Sequence, residues 1–139
     1  MAFAGIRPNE LVADVKKKFL QVKDIDFENK KITIPGSVSK IRKMRILENL
    51  PENLWAWIEP LRGAKKICGN YEQSKKVKSK LPVKLKKDTL RHSFATYAYY
   101  YLGAEHAVDI LGHDFKTYQK FYKGLTNKEN SEKYFSIMP

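Results

Sequence analysis

The chain has 139 residues, of which 27 are lysine or arginine and 15 are aspartate or glutamate, giving a net charge of +12. This length predicts one domain, the 42% apolar content excludes a disordered chain, and the lack of about 18 consecutive apolar residues excludes a membrane-spanning helix. The single cysteine, Cys68, excludes a disulfide framework, so we expect a soluble cytoplasmic protein whose positive charge favours a polyanionic partner, above all nucleic acid.

The first half of the chain predicts a short helix followed by a small sheet. Pro8 stands where helices commonly begin, and the residues after it place an apolar face on one side: Leu11, Val12 and Val15. Three β-prone runs separated by turn residues predict a three-stranded antiparallel sheet: 19–22, 32–34 and 45–47. After Pro51 a second helix is expected, which Pro60 should weaken at its end, with an apolar stripe: Leu54, Trp57, Ile58 and Leu61.

The second half predicts a basic connector and four helices. Segment 65–87 holds nine lysines and one acid, Glu72, and a solvated surface and direct phosphate contact are equally open for it. Asp88 or Thr89 can cap the next helix, and glycines predict the helix ends: Gly103, Gly112 and Gly124. The last helix is expected over 127–135. The fold class is therefore α+β, mainly α: a helical domain with a small antiparallel three-stranded sheet near its N-terminus.

Two arginines lie in helical settings with apolar neighbours, Arg7 and Arg91. The guanidinium group is always charged, and its planar fork fits the oxygens of a phosphate. Taken alone, each is more typical of a surface or ion-paired arginine. By the same reasoning His92 and His113 would be capping or packing residues.

The order of these residues, however, resembles the catalytic domain of the tyrosine recombinases, the phage integrase family, over almost the whole chain. Five matches carry the resemblance: Arg7 in the first box (4–11), Lys40 after the strand 32–34, Arg91 in the second box (90–96), His113 in the third box (111–113), and Tyr122 nine residues after that histidine.

The resemblance implies site-specific DNA recombination, integration or excision, through cleavage and rejoining of double-stranded DNA. By similarity, Arg7 and Arg91 clamp the scissile phosphate, Lys40 protonates the leaving 5′ oxygen, and His113 donates a hydrogen bond to the phosphate. Tyr122 forms a 3′-phosphotyrosyl bond. No metal or nucleotide cofactor is implied. The family also implies a homo-oligomer on DNA, a tetrameric synapse, with a monomer possible when free.

Three further residues have expected roles beside this set. Glu10 lies one helical turn from Arg7 and can orient it or fix the local packing. His92 points about 100° away from Arg91 around the helix, which favours a structural hydrogen bond over catalysis. Tyr118 lies four residues before Tyr122 on the same face and competes with it for the role of nucleophile, and the family spacing favours Tyr122.

The chain also departs from the family pattern. Asp88 stands where the second box usually has histidine, and it is either a doubtful catalytic residue or only a helix cap. Residues 1–139 are expected to be an N-terminally truncated catalytic domain, because the family's core-binding domain is missing. Such a chain is either an active enzyme or, as the alternative, a noncatalytic DNA-binding remnant of an integrase. A helix-turn-helix regulator is a weaker alternative, suggested by the short helices around Gly103 and Gly112.

The segment after Tyr122 leaves two arrangements open. In the family such a segment often packs into a neighbouring protomer, and residues 123–139 can also fold back on their own domain.

Overall fold

The computed structural model describes residues 1–12, 18–68, 73, 75–76, 79–86 and 88–139. The fold is α+β and mainly α, as predicted. In the described part of the chain the α-helices are α1 (Pro8–Leu11), α2 (Glu52–Ile58), α3 (Thr89–Leu102), α4 (Ala104–Leu111), α5 (Phe115–Phe121) and α6 (Lys128–Phe135). The strands form one antiparallel sheet in the order β1 (Ile25–Asp26), β2 (Lys31–Ile34) and β3 (Arg45–Leu47). None of the described helices is both long and apolar enough to cross a membrane.

The sheet turns one face to the core. Along β2, Ile32 and Ile34 are buried, whereas Lys31 is exposed and Thr33 is half-buried, which is the period-2 pattern of a strand with one covered face. Ile32 pairs with Leu47, so β3 continues the same buried face. The predictions of β2 and β3 are confirmed.

The first predicted strand, 19–22, is wrong. Leu20 is buried, but its backbone N–H donates to the Glu10 carbonyl at 2.7 Å, which joins this segment to the end of α1. A 3-10 turn, Val22–Asp24, follows, and the sheet begins only at Ile25. The edge strand β1 therefore has two residues and lies in a segment that turn residues had assigned to a loop.

The second helix is present, but the side that it buries differs from the predicted one. Helix α2 ends at Ile58 and continues as a 3-10 turn that contains Pro60, because proline lacks the N–H that an α-helix interior needs. Leu54 is buried as expected, but Trp57 is 44% exposed and Trp55 takes the core position instead.

The last four helices are confirmed. Gly103, Gly112 and Gly124 all have positive φ, the conformation that ends a helix most easily at glycine. Helix α6 folds back on its own domain: Phe135 is buried against Phe94 of α3, and Tyr134 stacks on Tyr97 with ring centroids 4.3 Å apart. This arrangement corresponds to the second of the two that the sequence left open.

Two sequence predictions involve residues that the structure does not describe. Val15, expected on the apolar face of the first helix, and Glu72, in the lysine-rich segment, lie outside the described residues. The lysines of 65–87 that are described are all exposed.

Candidate active site

Arg91 faces the core from α3. The buried positions of this helix recur at helical spacing, and an arginine occupies the first of them: Arg91, Phe94, Ala95 and Ala98. Its guanidinium donates to the Gly5 carbonyl through Nη1 and to the Leu111 carbonyl through Nη2, the latter at 2.6 Å. Burial, with Arg7 and Arg45 nearby, lowers the pKa of Arg91 to about 10, so the group is still charged at neutral pH.

Arg7 is positioned by the first turn of α1. The Glu10 carboxylate accepts from the Arg7 backbone N–H at 3.0 Å and from its Nη1 at 3.3 Å. Arg7 Nη2 also donates to the Leu111 carbonyl at 3.5 Å, so Arg7 and Arg91 converge on one acceptor. Leu111 ends α4, where the last carbonyls have no partner within the helix and carry partial negative charge.

A third arginine, which the sequence analysis did not single out, completes this group. Arg45 Nη2 donates to Glu10 at 2.8 Å, and the Glu10 side chain is only 1% exposed. The Arg45 side chain packs against Gly112, and its Nε and Nη1 are buried without a partner among the described residues. We call Arg7, Arg45 and Arg91 the arginine cluster. With Glu10 it has three positive charges and one negative charge.

The alternation of side-chain directions along β3 indicates that Arg45 faces the core. Residues two apart on a strand face the same side, and Leu47 is a clear core residue. Arg45 therefore points inward with it, although a charged residue at a strand end is usually taken as solvent-facing.

His113 lies two residues after Leu111, whose carbonyl accepts hydrogen bonds from both Arg7 and Arg91. Its Nδ1 donates to the Asp114 carbonyl at 3.3 Å, and its Nε2 is buried without a partner among the described residues. Burial lowers the pKa of His113, the Asp114 carbonyl opposes that shift, and Arg91 and Arg7 add to it. The ring is therefore neutral at pH 7, and its Nε2 then carries a lone pair rather than a proton.

Tyr122 stands at the end of α5, between two histidines. Its backbone N–H donates to the Tyr118 carbonyl at 2.9 Å, which closes the last helical turn. The phenol ring stacks on His113 with centroids 5.9 Å apart, and its Oη lies 2.7 Å from His92 Nδ1. Burial raises the pKa of Tyr122, Arg91 opposes this effect and Asp88 adds to it. The hydroxyl is therefore protonated at neutral pH.

The competing tyrosine, Tyr118, is in the core. Its side chain is 2% exposed and its ring stacks on Tyr99 with centroids 3.5 Å apart. Burial raises the pKa of Tyr118, and the neighbouring Tyr99 and Tyr100 add to this effect. The half-buried Tyr122 is therefore accessible from the surface, whereas the hydroxyl of Tyr118 is not.

Lys40 lies in the loop between β2 and β3 and is exposed. It lines a cleft of about 730 Å³ together with Arg7, and two further cations, Lys18 and Arg42, line the same cleft. Lys40 and Arg7, one member of the arginine cluster, thus line the same cleft. In the described part of the chain no group of three His, Cys, Asp or Glu side chains could hold a metal ion.

Asp88 stands at the N-cap of α3 but does not cap it with its side chain. Its φ of 61° is left-handed, and no N–H of the helix donates to its carboxylate. Only its carbonyl contributes, by accepting from the His92 N–H at 2.9 Å. The carboxylate is close enough to Tyr122 to raise the pKa of that phenol.

Comparison of the chain with protein-family models, curated proteins and solved structures finds no match.

Proposed function

We propose that this chain is the catalytic domain of a tyrosine-type site-specific recombinase, which cuts and rejoins DNA through a 3′-phosphotyrosyl intermediate. The observation that carries the proposal is the meeting of the arginine cluster and Tyr122. Arg7 and Arg91 converge on the Leu111 carbonyl, and the ring of His113, two residues further along the chain, stacks on Tyr122 with centroids 5.9 Å apart. Burial raises the pKa of the Tyr122 phenol, and the charge of Arg91 opposes that effect.

The charge of the arginine cluster favours an anionic ligand. Three guanidinium groups with one carboxylate leave an excess of two positive charges, and Arg45 has two buried nitrogen atoms, Nε and Nη1, without a partner among the described residues. Buried charges and donors of this kind are costly unless a counter-ion and acceptors satisfy them. A phosphodiester supplies both, and preorganised cations of this kind stabilise the charge that develops as the phosphorus is attacked.

Each residue then has a chemical role. Arg7 and Arg91 hold the nonbridging oxygens, and the Tyr122 Oη attacks the phosphorus. Lys40, on the loop beside Arg7, gives a proton to the departing 5′ oxygen. His113 donates from Nε2 once its ring is protonated, and a bound phosphate favours that form because a nearby negative charge raises the pKa of a histidine.

A covalent-trapping experiment tests this proposal. A pool of nicked duplexes, randomised around the nick and labelled at the 5′ end of the cleaved strand, loses a short 5′-hydroxyl oligonucleotide after cleavage and traps the adduct. We expect a protein band that carries label in wild type and in Tyr118→Phe, and no such band in Tyr122→Phe.

The second candidate is a noncatalytic DNA-binding remnant that keeps the basic surface. Asp88 favours it, because its negative charge raises the pKa of Tyr122 and so opposes ionisation of the nucleophile. A wild-type chain that binds the same duplexes in a salt-sensitive way and forms no labelled band supports this candidate and contradicts the enzyme.

A further inference from the structure

We propose that His92 is the general base that takes the phenolic proton of Tyr122, an inference that rests on the proposed function. The sequence favoured a structural hydrogen bond for His92, because the side chain leaves α3 in a different direction from Arg91. The fold brings Tyr122 to it instead: α5 ends beside α3, and His92 Nδ1 lies 2.7 Å from the Tyr122 Oη. That separation is within direct proton-transfer distance.

The surroundings of Tyr122 show why a base is needed and why His92 fits. The hydroxyl remains protonated at neutral pH, and a neutral phenol is a weak nucleophile. Of the two histidines beside the ring, His113 donates from Nδ1 to the Asp114 carbonyl, whereas His92 Nδ1 contacts the Tyr122 hydroxyl itself. Asp88 is the other residue that could accept a proton, and it acts on Tyr122 only through its charge in this structure.

In the proposed step, one proton moves from Tyr122 to His92 and another moves from Lys40 to the leaving oxygen. The Tyr122 O–H bond breaks and its proton moves to His92 Nδ1, while Oη forms a bond to phosphorus. The bond from phosphorus to the 5′ oxygen breaks, and that oxygen keeps the electron pair and takes a proton from Lys40. In rejoining, a 5′ hydroxyl attacks the phosphorus and gives its proton to Lys40, and the leaving Oη recovers its proton from His92.

The position of His92 makes a clean test possible. The residue is exposed and lines an open pocket of about 420 Å³ beside Thr89 and Ser93. Truncation there is not expected to unfold the domain, because substitutions of exposed residues usually change stability little. The space that His92→Ala would leave in this open pocket can also admit a small base from solution.

The experiment measures the rate of labelled adduct formation on the nicked duplex pool. His92→Asn places an amide oxygen near the position of Nδ1, where it can accept a hydrogen bond but cannot carry the proton away. We expect His92→Asn and His92→Ala each to lower the rate about 100-fold or more. Added imidazole should restore His92→Ala and leave wild type and Tyr122→Phe unchanged. His106→Asn, a histidine change at a contact with the Glu48 carbonyl, is the matched control and should keep the wild-type rate.

Three results would overturn the inference. An adduct formed by His92→Asn at close to the wild-type rate means that His92 only positions the phenol. A large loss in Asp88→Asn with a normal rate in His92→Asn assigns the proton to Asp88. A wild-type chain that forms no adduct overturns the proposed function and this inference together, which separates that failure from the first two.

Discussion

Replacing Glu10 with glutamine removes one negative charge from beside the arginine cluster at almost unchanged side-chain volume. The carboxylate accepts from the Arg7 backbone N–H, from Arg7 Nη1 and from Arg45 Nη2. An amide keeps one acceptor oxygen and turns an NH₂ group toward one of the guanidinium groups, which is a donor facing a donor. The variant therefore loses both a hydrogen bond and the charge that offsets three cations.

The magnitude follows from the burial of the pair. The side chains of Glu10 and Arg45 are 1% and 10% exposed, so the pair lies in the range where removing one partner costs about 3–5 kcal/mol. Arg7 is 18% exposed, and water there reduces the penalty, so we expect the lower end, about 3 kcal/mol. For a domain of this size that loss lowers the Tm by roughly 10 °C.

Urea and thermal unfolding followed by circular dichroism measure this change. The matched control is Glu52→Gln, the same chemical substitution at a carboxylate that is 78% exposed and lies 2.6 Å from Lys30. Exposed ion pairs contribute little, so the control should unfold close to wild type. If Glu10→Gln is as stable as Glu52→Gln, the charge argument for the arginine cluster is wrong.

Two further predictions concern Gly5 and His113. Gly5 has φ +58°, and an added Cβ would lie 2.6 Å from Phe94 Cδ1, so Gly5→Ala should lose about 2–4 kcal/mol of unfolding free energy from left-handed strain and overpacking. Gly124→Ala, at φ +80° with no described atom within 4 Å of the added carbon, should lose only the strain, and equal losses in urea unfolding would contradict the clash. Because burial lowers the pKa of His113, the folded state favours the neutral ring, and stability should fall as the pH drops below about 6.5, the ordinary histidine value. The loss of unfolding free energy from pH 7.5 to pH 5.5 should be smaller in His113→Gln than in wild type, and an equal loss in both would refute the assignment.

Local signals were sufficient for most of the helices. Each of the helices α3, α4 and α5 is followed by a glycine that adopts positive φ, and a stop of this kind depends on a single residue rather than on distant contacts. The side-chain caps of α5 and α6 are also local: Asp114 accepts from the Thr117 N–H, and Asn127 accepts from the Asn130 N–H. These helix boundaries follow from chemistry within four residues of each end.

The first strand could not be found in this way because strand pairing depends on tertiary context. Segment 19–22 has the composition of a strand, yet the Leu20 N–H donates to the Glu10 carbonyl and is not available to a sheet. The turn that the polar residues predicted is present, because Asn29 donates to the Asp26 carboxylate through both its backbone N–H and its Nδ2. A two-residue strand at Ile25 fits directly before that turn, and composition alone does not reveal so short an element.

The contacts of the candidate site are likewise of two kinds, local ones that sequence spacing indicates and distant ones that depend on the fold. Glu10 contacts Arg7 across one helical turn, and sequence spacing was enough to expect it. Arg45 reaches the same carboxylate from 35 positions away, which no local pattern indicates. The role expected for His92 rested on its direction from α3 alone, and its contact with Tyr122 depends on where the end of α5 lies in the fold.

The arginine cluster links the stability of the fold to the proposed chemistry. Apolar side chains in these positions would stabilise the fold better, because buried cations repel one another and two nitrogen atoms of Arg45 have no partner among the described residues. Arg91 occupies one of the buried positions of α3, and the apolar residues Phe94 and Ala95 occupy the neighbouring ones. The cluster therefore lowers the stability of the free domain, and an anion bound there recovers part of that loss. A scissile phosphate would be held most tightly as its charge increases during attack, which is the condition for binding energy to accelerate a reaction.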